Sequence, residues 1–502
     1  MFWHAGRRSN EFLGLLGLFV ITGLGIIIYT NQPPNEPRER DYVLVGSFFT
    51  FCIWMGMAVP AIYGFLKEKV GQGGIPAAAG ATLLILTAPL IMGFQNFDDH
   101  SRRLHKGSRD YASNFLNSVD KNAIIFTYGD NDTYPLWYAQ EVENIRRDVR
   151  VVNLSLIAVD WYIDLLRRKV NDSPEIKLGL SVDKLRGNKR NQVMRYNQQG
   201  QCSQDQPTSL SNFMNQIVKD NPLPLQGGGK LDTYYTSCHV FINVDQQRAL
   251  NGAAKLVPEG DAANIVQRMP ITVSNSRLLK DEIAILDIIN SNMYDRPIYW
   301  AVTCQPSKMM GLQDYFELEG LALRLTVTKH QSDRNYGVIG SGQVDAESTY
   351  DMVMNKWAWG NFDVYDTHVN NSYQPAIQAM RLGIRRATMK LIEEGKKDKA
   401  MAMTDKYFQS FPNMNFPFHY QTLFLLDAYW QMNQYGKAAP IMEQLAKNVE
   451  DKLDFYASID DNTLATSYQE DYRQCTVIMQ RLLQEIERSQ DEDLQARIRA
   501  IL

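Results

Sequence analysis

Few side-chain groupings in the chain have the types and spacing for chemistry. Asp130-Asn131-Asp132 follows the apolar run Ala123-Ile124-Ile125-Phe126-Thr127-Tyr128 and the turn-forming Gly129. If that run is a buried strand, the triplet lies at its carboxyl end, where ligands collect in open α/β sheets. Two carboxylates so close, Asp130 and Asp132, can hold a divalent cation against a sugar-linked phosphate. The same side chains can instead cap the next helix and satisfy local amides, the commoner use of such triplets. Asn153 and Asp160 follow the neighbouring apolar run; they either face the same crevice as substrate-binding groups or cap a helix. In the segment Glu36 to Asp41, Arg38 and Arg40 can engage a lipid-linked phosphate by bidentate hydrogen bonds, with Glu39 or Asp41 as a base. The alternative there is a hydrated hairpin between two membrane spans. Asp98-Asp99-His100, with His105, can bind a metal or lipid head groups, or simply form a solvated segment beside the membrane.

The elements that must position these groups begin with three uncharged runs. Phe12 to Tyr29, Tyr42 to Leu66 and Val70 to Phe97 carry no charged side chain. Each is long enough to cross a bilayer, and an unpaired charge in hydrocarbon costs a few kcal/mol. The spans are expected at about 12–30, 43–66 and 75–94, within a transmembrane region of 1–97. Arg7 and Arg8 precede the first run, and no small-residue cleavage site closes it, so it is a span and not a signal peptide. Lys67 and Lys69 lie between the second and third. The positive-inside rule therefore puts the N-terminus and the Lys67 loop in the cytoplasm and everything after about Gln95 outside it. In a double-membraned bacterium that is a multi-pass inner-membrane protein with its large soluble portion in the periplasm.

In the soluble part, the runs at 123–128 and Val149 to Ile157 read as buried strands. The first is followed by a helix pattern from about Leu136 to Glu143, the second by a helix from Trp161 to Lys169 capped by Asp160. Alternating strand and helix is the signature of parallel α/β packing. An extracytoplasmic α/β domain with a mostly parallel sheet is expected at 98–345. Asn188 to Lys230 reads as a polar insertion or long loop. A linker at 346–372 leads to an all-α section, 373–502. Its two helix-turn-helix units, at Ile384–Phe408 and Tyr420–Lys447, fit tetratricopeptide-like repeats through Ala400, Leu426, Tyr429 and Ala438. Ala400 and Ala438 are about 38 residues apart, against about 34 in the standard repeat. The five cysteines form no CxxC pair, which argues against the usual zinc and redox motifs and against a disulfide framework, and leaves room for one disulfide among Cys202, Cys238, Cys304 and Cys475. A net charge of −4 over 502 residues excludes a basic nucleic-acid-binding face as the organising feature.

Several stretches together carry a resemblance. They include Asn31-Gln32-Pro33-Pro34, Glu36 to Tyr42, Asn96 to His100, Gly129 to Thr133 with Pro135 to Tyr138, Val149 to Leu156, Arg296 to Val302 and Leu318 to Ala322. The chain resembles the bacterial protein O-mannosyltransferase-like multi-span membrane proteins. The resemblance covers their C-terminal half and not the multi-span half, whose early extracytoplasmic loop bears the catalytic carboxylate. It implies an anchored extracytoplasmic component related to lipid-sugar-dependent protein O-glycosyltransferases, supporting acceptor or partner binding. Its implied partners are the bilayer, a lipid-linked sugar and a multi-span membrane protein or envelope proteins. The alternative is a non-catalytic envelope scaffold recruiting proteins through its helical repeats.

Overall fold

The computed structural model describes residues 1–31, 40–69, 71, 73–196, 205–224, 229–367 and 369–501. It divides into two compact units, Met1–Leu104 with Thr367–Gln374, and His105–Asp366 with Pro375–Leu502.

Among its described residues, the first unit contains three helices long and apolar enough to cross a membrane: α1 (Ser9–Thr30), α2 (Asp41–Lys69) and α3 (Ile75–Gln95). The uncharged runs become helices because hydrocarbon leaves backbone polar groups no partner but one another. Helices α1 and α2 approach closely where both are small. A Cβ on Gly23 would meet Ser47 Oγ at 2.9 Å, and one on Gly46 would meet Thr22 Cβ at 2.9 Å. Ser47 Oγ donates to Phe19 O across this contact at 3.1 Å. Small residues allow such approach in helix pairs that lack a hydrophobic driving force. Arg7 pairs with Glu68 at 3.1 Å, so the N-terminus and the Lys67–Lys69 end of α2 share one end of the unit.

In the second unit, α4 (Gly107–Asn117) leads into β1 (Ile124–Thr127), α5 (Asp130–Glu141), β2 (Arg150–Asn153) and α6 (Asp160–Leu166). All four residues of each of these strands are buried, as the unbroken apolar runs require. After α7 (Leu210–Val218) and α8 (Lys280–Asn292) come β3 (Ile298–Ala301), β4 (Phe316–Glu319), β5 (Ala322–Leu325) and β6 (Gln343–Val344). The main sheet has the order β6-β4-β5-β3-β1-β2. It is mixed. The strand β1 pairs in parallel with both β2 and β3, and β4 with β6, while β5 is antiparallel to β3 and β4. The antiparallel part follows from a tight turn at Gly320, whose φ of 58° suits glycine and whose Cβ position lies 2.6 Å from Ser118 Oγ.

Two local expectations are corrected. The stretch 188–230 is not simply a loop: it holds a strand at Gln192–Arg195 and α7, which buries Leu210, Phe213, Met214 and Ile217. Ser209 accepts from Asn212 N to cap α7, a contact worth about 1 kcal/mol in general. The Asp130-Asn131-Asp132 cluster is not a turn ahead of a helix but the first turn of α5, with Gly129 as its N-cap.

Residues 346–372 carry helix α9 (Ala346–Asp351) and bury Trp357, Trp359 and Phe362. Beyond them the chain is helical: α10 (Gln374–Glu393), α11 (Lys397–Ser410), α12 (Leu423–Gln431), α13 (Tyr435–Ala457), α14 (Gln469–Ser489) and α15 (Glu492–Ile501). Ala400, Leu426, Tyr429 and Ala438 are all buried where successive helices pack. The second unit runs through both the α/β stretch and these helices.

Candidate functional site

Parallel strands β1, β2 and β3 bring their carboxyl ends together, and with them a set of buried polar groups. Strand β1 ends at Thr127, whose Oγ1 lies 2.8 Å from Thr133 Oγ1. Gly129 turns the chain with φ 77°, and α5 starts at once. Asp132, 9% exposed, points inward and accepts from Thr303 Oγ1, just past β3, at 2.5 Å. Burial raises its pKa to about 6, despite the hydrogen bonds from Thr303 and the Tyr128 backbone that favour the carboxylate. Tyr111 on α4 is held above its ordinary value by burial and by the Asp132 charge, and its hydroxyl is buried without a partner. The free thiol of Cys304 donates to Phe126 O at 3.3 Å; burial and Asp132 keep it protonated. A carboxyl titrating near neutrality beside an unpartnered hydroxyl can take and return a proton. Tyr111, Thr303 and Cys304 belong to no motif, and only the strand order β3-β1-β2 brings Thr303 and Cys304 to Asp132.

The other candidates fall as follows. Asp130 is itself exposed at the start of α5 beside Tyr134, so it and the buried Asp132 differ in environment. Asn153 Oδ1 accepts from Ser155 N at 2.8 Å and Leu156 N at 3.3 Å, a local cap, while its Nδ2 is buried without a partner. Asp160 accepts from Trp161 N at 2.8 Å and Gly187 N at 2.9 Å, and these backbone bonds lower its pKa. It joins α6 to the 187 loop. In the first unit, Arg40 and Asp41 line a small cavity with Thr30 and Asn31 at the far ends of α1 and α2; Arg38 and Glu39 lie outside the described residues. His100 Nδ1 is 2.9 Å from Asn96 O, and the His105 ring meets Phe362 edge-on at 5.0 Å.

At the opposite, amino ends of β1 and β2 lies a larger charged cavity of about 1230 Å³, lined by Asp120, Lys121, Arg146, Asp148, Glu319, Arg324 and Asp345 among others. Arg324, one of its lining residues, is buried. It hydrogen-bonds Glu317 and stands 3.0 Å from Glu319 Oε1, off-line, as an ion pair. Tyr299 donates to Glu319 Oε2 at 2.7 Å, and Gln343 Nε2 to Glu317 Oε1 at 2.9 Å. Burial lifts Glu319 to about 7 against the pull of Arg324. Among the described residues, Glu317, Glu319 and Asp345 have oxygens close enough to share a cation, but Arg324 already supplies positive charge to two of them.

Comparison with known proteins bears on the second unit. Residues 108–348 match the family model described as TMEM260-associated domain 2. The curated relative "Protein O-mannosyl-transferase tmem260" of Dictyostelium discoideum is 24% identical over 159 residues, which is 29% of this chain and 18% of the relative. The match thus spans under a fifth of that relative's length. No solved structure matches. These likenesses support a relation between this chain and O-mannosyltransferase-like proteins.

Proposed function

We propose that the chain is a membrane-anchored, extracytoplasmic component of a lipid-sugar-dependent protein O-glycosylation apparatus, supporting acceptor or partner binding. The observation that carries this reading is the match of residues 108–348 to the TMEM260-associated domain, joined to three helices fit to cross a membrane. The anchor would be the bacterial inner membrane, with the second unit in the periplasm. Three spans are few to enclose a lipid carrier and a carboxylate that activates a hydroxyl, so the chain would work with a multi-span membrane partner. Gly14 and Gly17, with nothing within 4 Å of their Cβ positions, offer a face for that helix–helix contact.

The test is transfer from a lipid-linked mannosyl donor to a Ser/Thr-containing acceptor peptide. The purified chain alone is expected to transfer nothing, and to gain transfer with a co-purified multi-span partner. Robust transfer by the chain alone, lost on Glu39→Ala or Asp41→Ala, would make the α1–α2 loop an active site and end the accessory reading. The packed helices α10 to α15 favour a second reading, a scaffold that recruits envelope proteins. It predicts partner capture that survives without any transfer activity.

A further inference from the structure

We propose that a cavity between α5, α6 and β2 is a binding site for a neutral saccharide residue. The cavity measures about 300 Å³, within the usual small-ligand range. Its wall is apolar: Trp137 on α5, Val149 just before β2, Val151 within it, and Leu165 on α6 line it. Tyr134 extends the wall outward. Tyr134 stacks on Trp137 with centroids 5.5 Å apart, and Trp161, one turn before Leu165, is 59% exposed.

The rim has the complementary chemistry. Asn171 Nδ2 donates to Glu141 Oε1 at 2.6 Å, and Arg147 donates to Asn171 Oδ1 at 2.6 Å. This chain of planar carboxylate, amide and guanidinium groups offers paired donors and acceptors, which suit vicinal hydroxyls. Two further donors in the lining lack partners: Arg150 Nε, on a residue 5% exposed, and Arg147 Nε. The rest of the Arg150 guanidinium is committed, to Arg168 O at 2.6 Å and Pro174 O at 3.0 Å, so its orientation is fixed. An unpaired buried donor is destabilising, and an acceptor oxygen on a ligand would satisfy it. An apolar ring wall facing a rim of planar polar groups matches a pyranose, which has an apolar C–H face and a hydroxyl edge. The negative face of an aromatic ring attracts such polarised hydrogens.

Charge separates this occupant from a phospholipid surface. Helices α5 and α6 contain Asp130, Asp132, Glu141, Asp160 and Asp164 and no Lys or Arg. Of these, Asp130, Glu141, Asp160 and Asp164 are not buried and disfavour a phosphate-rich surface, while the cations of the lining are already engaged, Arg147 by Asn171 and Arg150 by the carbonyls of Arg168 and Pro174. The choice of a sugar also rests on the glycosylation reading, and the experiment separates the two.

The full chain in nanodiscs is titrated calorimetrically with methyl α-mannopyranoside and an α-linked mannobiose. Saturable binding is expected. Trp137→Ala should weaken it at least tenfold, about 1.4 kcal/mol. The pair Glu141→Ala and Asn171→Gly should do the same from the rim without touching the wall; glycine is chosen because Asn171 has φ 54°. No saturable binding, binding indifferent to both sets of variants, or Trp137-dependent binding of phosphatidylglycerol vesicles in place of sugar would each overturn the proposal. Partner-dependent transfer without sugar binding would remove this site and leave the glycosylation reading standing. Sugar binding with no transfer in the presence of a multi-span partner would do the reverse.

Discussion

Asp132→Asn tests the electrostatics of the strand-end site directly. Folding raises the Asp132 pKa from 3.8 to about 6, chiefly through burial. The folded chain therefore binds more protons than the unfolded chain between these values. Stability from this group is intact well below pH ~4, falls as pH rises toward 6, and is level above ~7. Roughly two units at 1.36 kcal/mol each give a loss of about 3 kcal/mol across that window. At 9% exposure the group needs no discount for solvent screening. Asparagine keeps the volume and an acceptor for Thr303 Oγ1 but cannot ionise. Replacement carries a pH-independent cost or gain from the altered hydrogen bonds, and on top of it a pH-dependent difference that grows by roughly 2 kcal/mol from pH 4 to 7 in favour of the variant, the rest of the loss falling below pH 4. The assay is urea denaturation of the full chain in detergent at half-unit steps from pH 4 to 8, following the second unit by amide hydrogen exchange. Parallel stability curves for the two proteins would show that Asp132 is not held above its ordinary pKa, and the proton-transfer chemistry assigned to the site would fall with it.

Further outcomes follow from other parts of the fold. Arg324→Met leaves Glu317 and Glu319 buried without their counter-ion and should cost about 3–5 kcal/mol, read from the urea midpoint. Adding Glu317→Gln and Glu319→Gln should recover most of it; no recovery would mean that the arginine acts by packing and not by charge. Gly342→Ala should prevent stable folding of the second unit, because its φ is 56° and a Cβ would lie 1.8 Å from Phe316 O; a normal unfolding midpoint contradicts this. A reporter active only outside the cytoplasm, fused after Leu502, should be active, since Arg7 pairs at the Lys67–Lys69 end of the second of the three spans found among the described residues. Full expression with no reporter activity would invert the topology.

What could be read without coordinates was whatever repeats locally. Uncharged runs became α1, α2 and α3, because a bilayer-length stretch free of charge has few other uses. The unbroken apolar runs at 124–127 and 150–153 became buried strands, and Gly395 and Asn433 fell between packed helices. Helix α7 escaped because polar residues around it hide the spacing of Leu210, Phe213, Met214 and Ile217. The early start of α5 escaped because Asp, Asn and Asp are turn formers that equally suit a first helical turn, where the positive end of the helix dipole favours them.

The sequence by itself determined an anchored protein with an α/β portion and a helical end, and it located Asp130, Asp132, Asn153 and Asp160 near strand ends. Tertiary structure decided which of them matter to one another. Asp132 meets Thr303 because β3, far along the chain, inserts beside β1, while Asp160 is diverted to Gly187. Glu319, Arg324 and Tyr299 meet because a glycine turn folds β5 back on β4 and against β3. Glu141 meets Asn171 because β2 is the edge strand. Periodicity reports burial along one element, through a repeat of two or 3.6 residues. Which distant polar groups share a site depends on strand order and register, which are set by non-local packing and leave no local pattern to read.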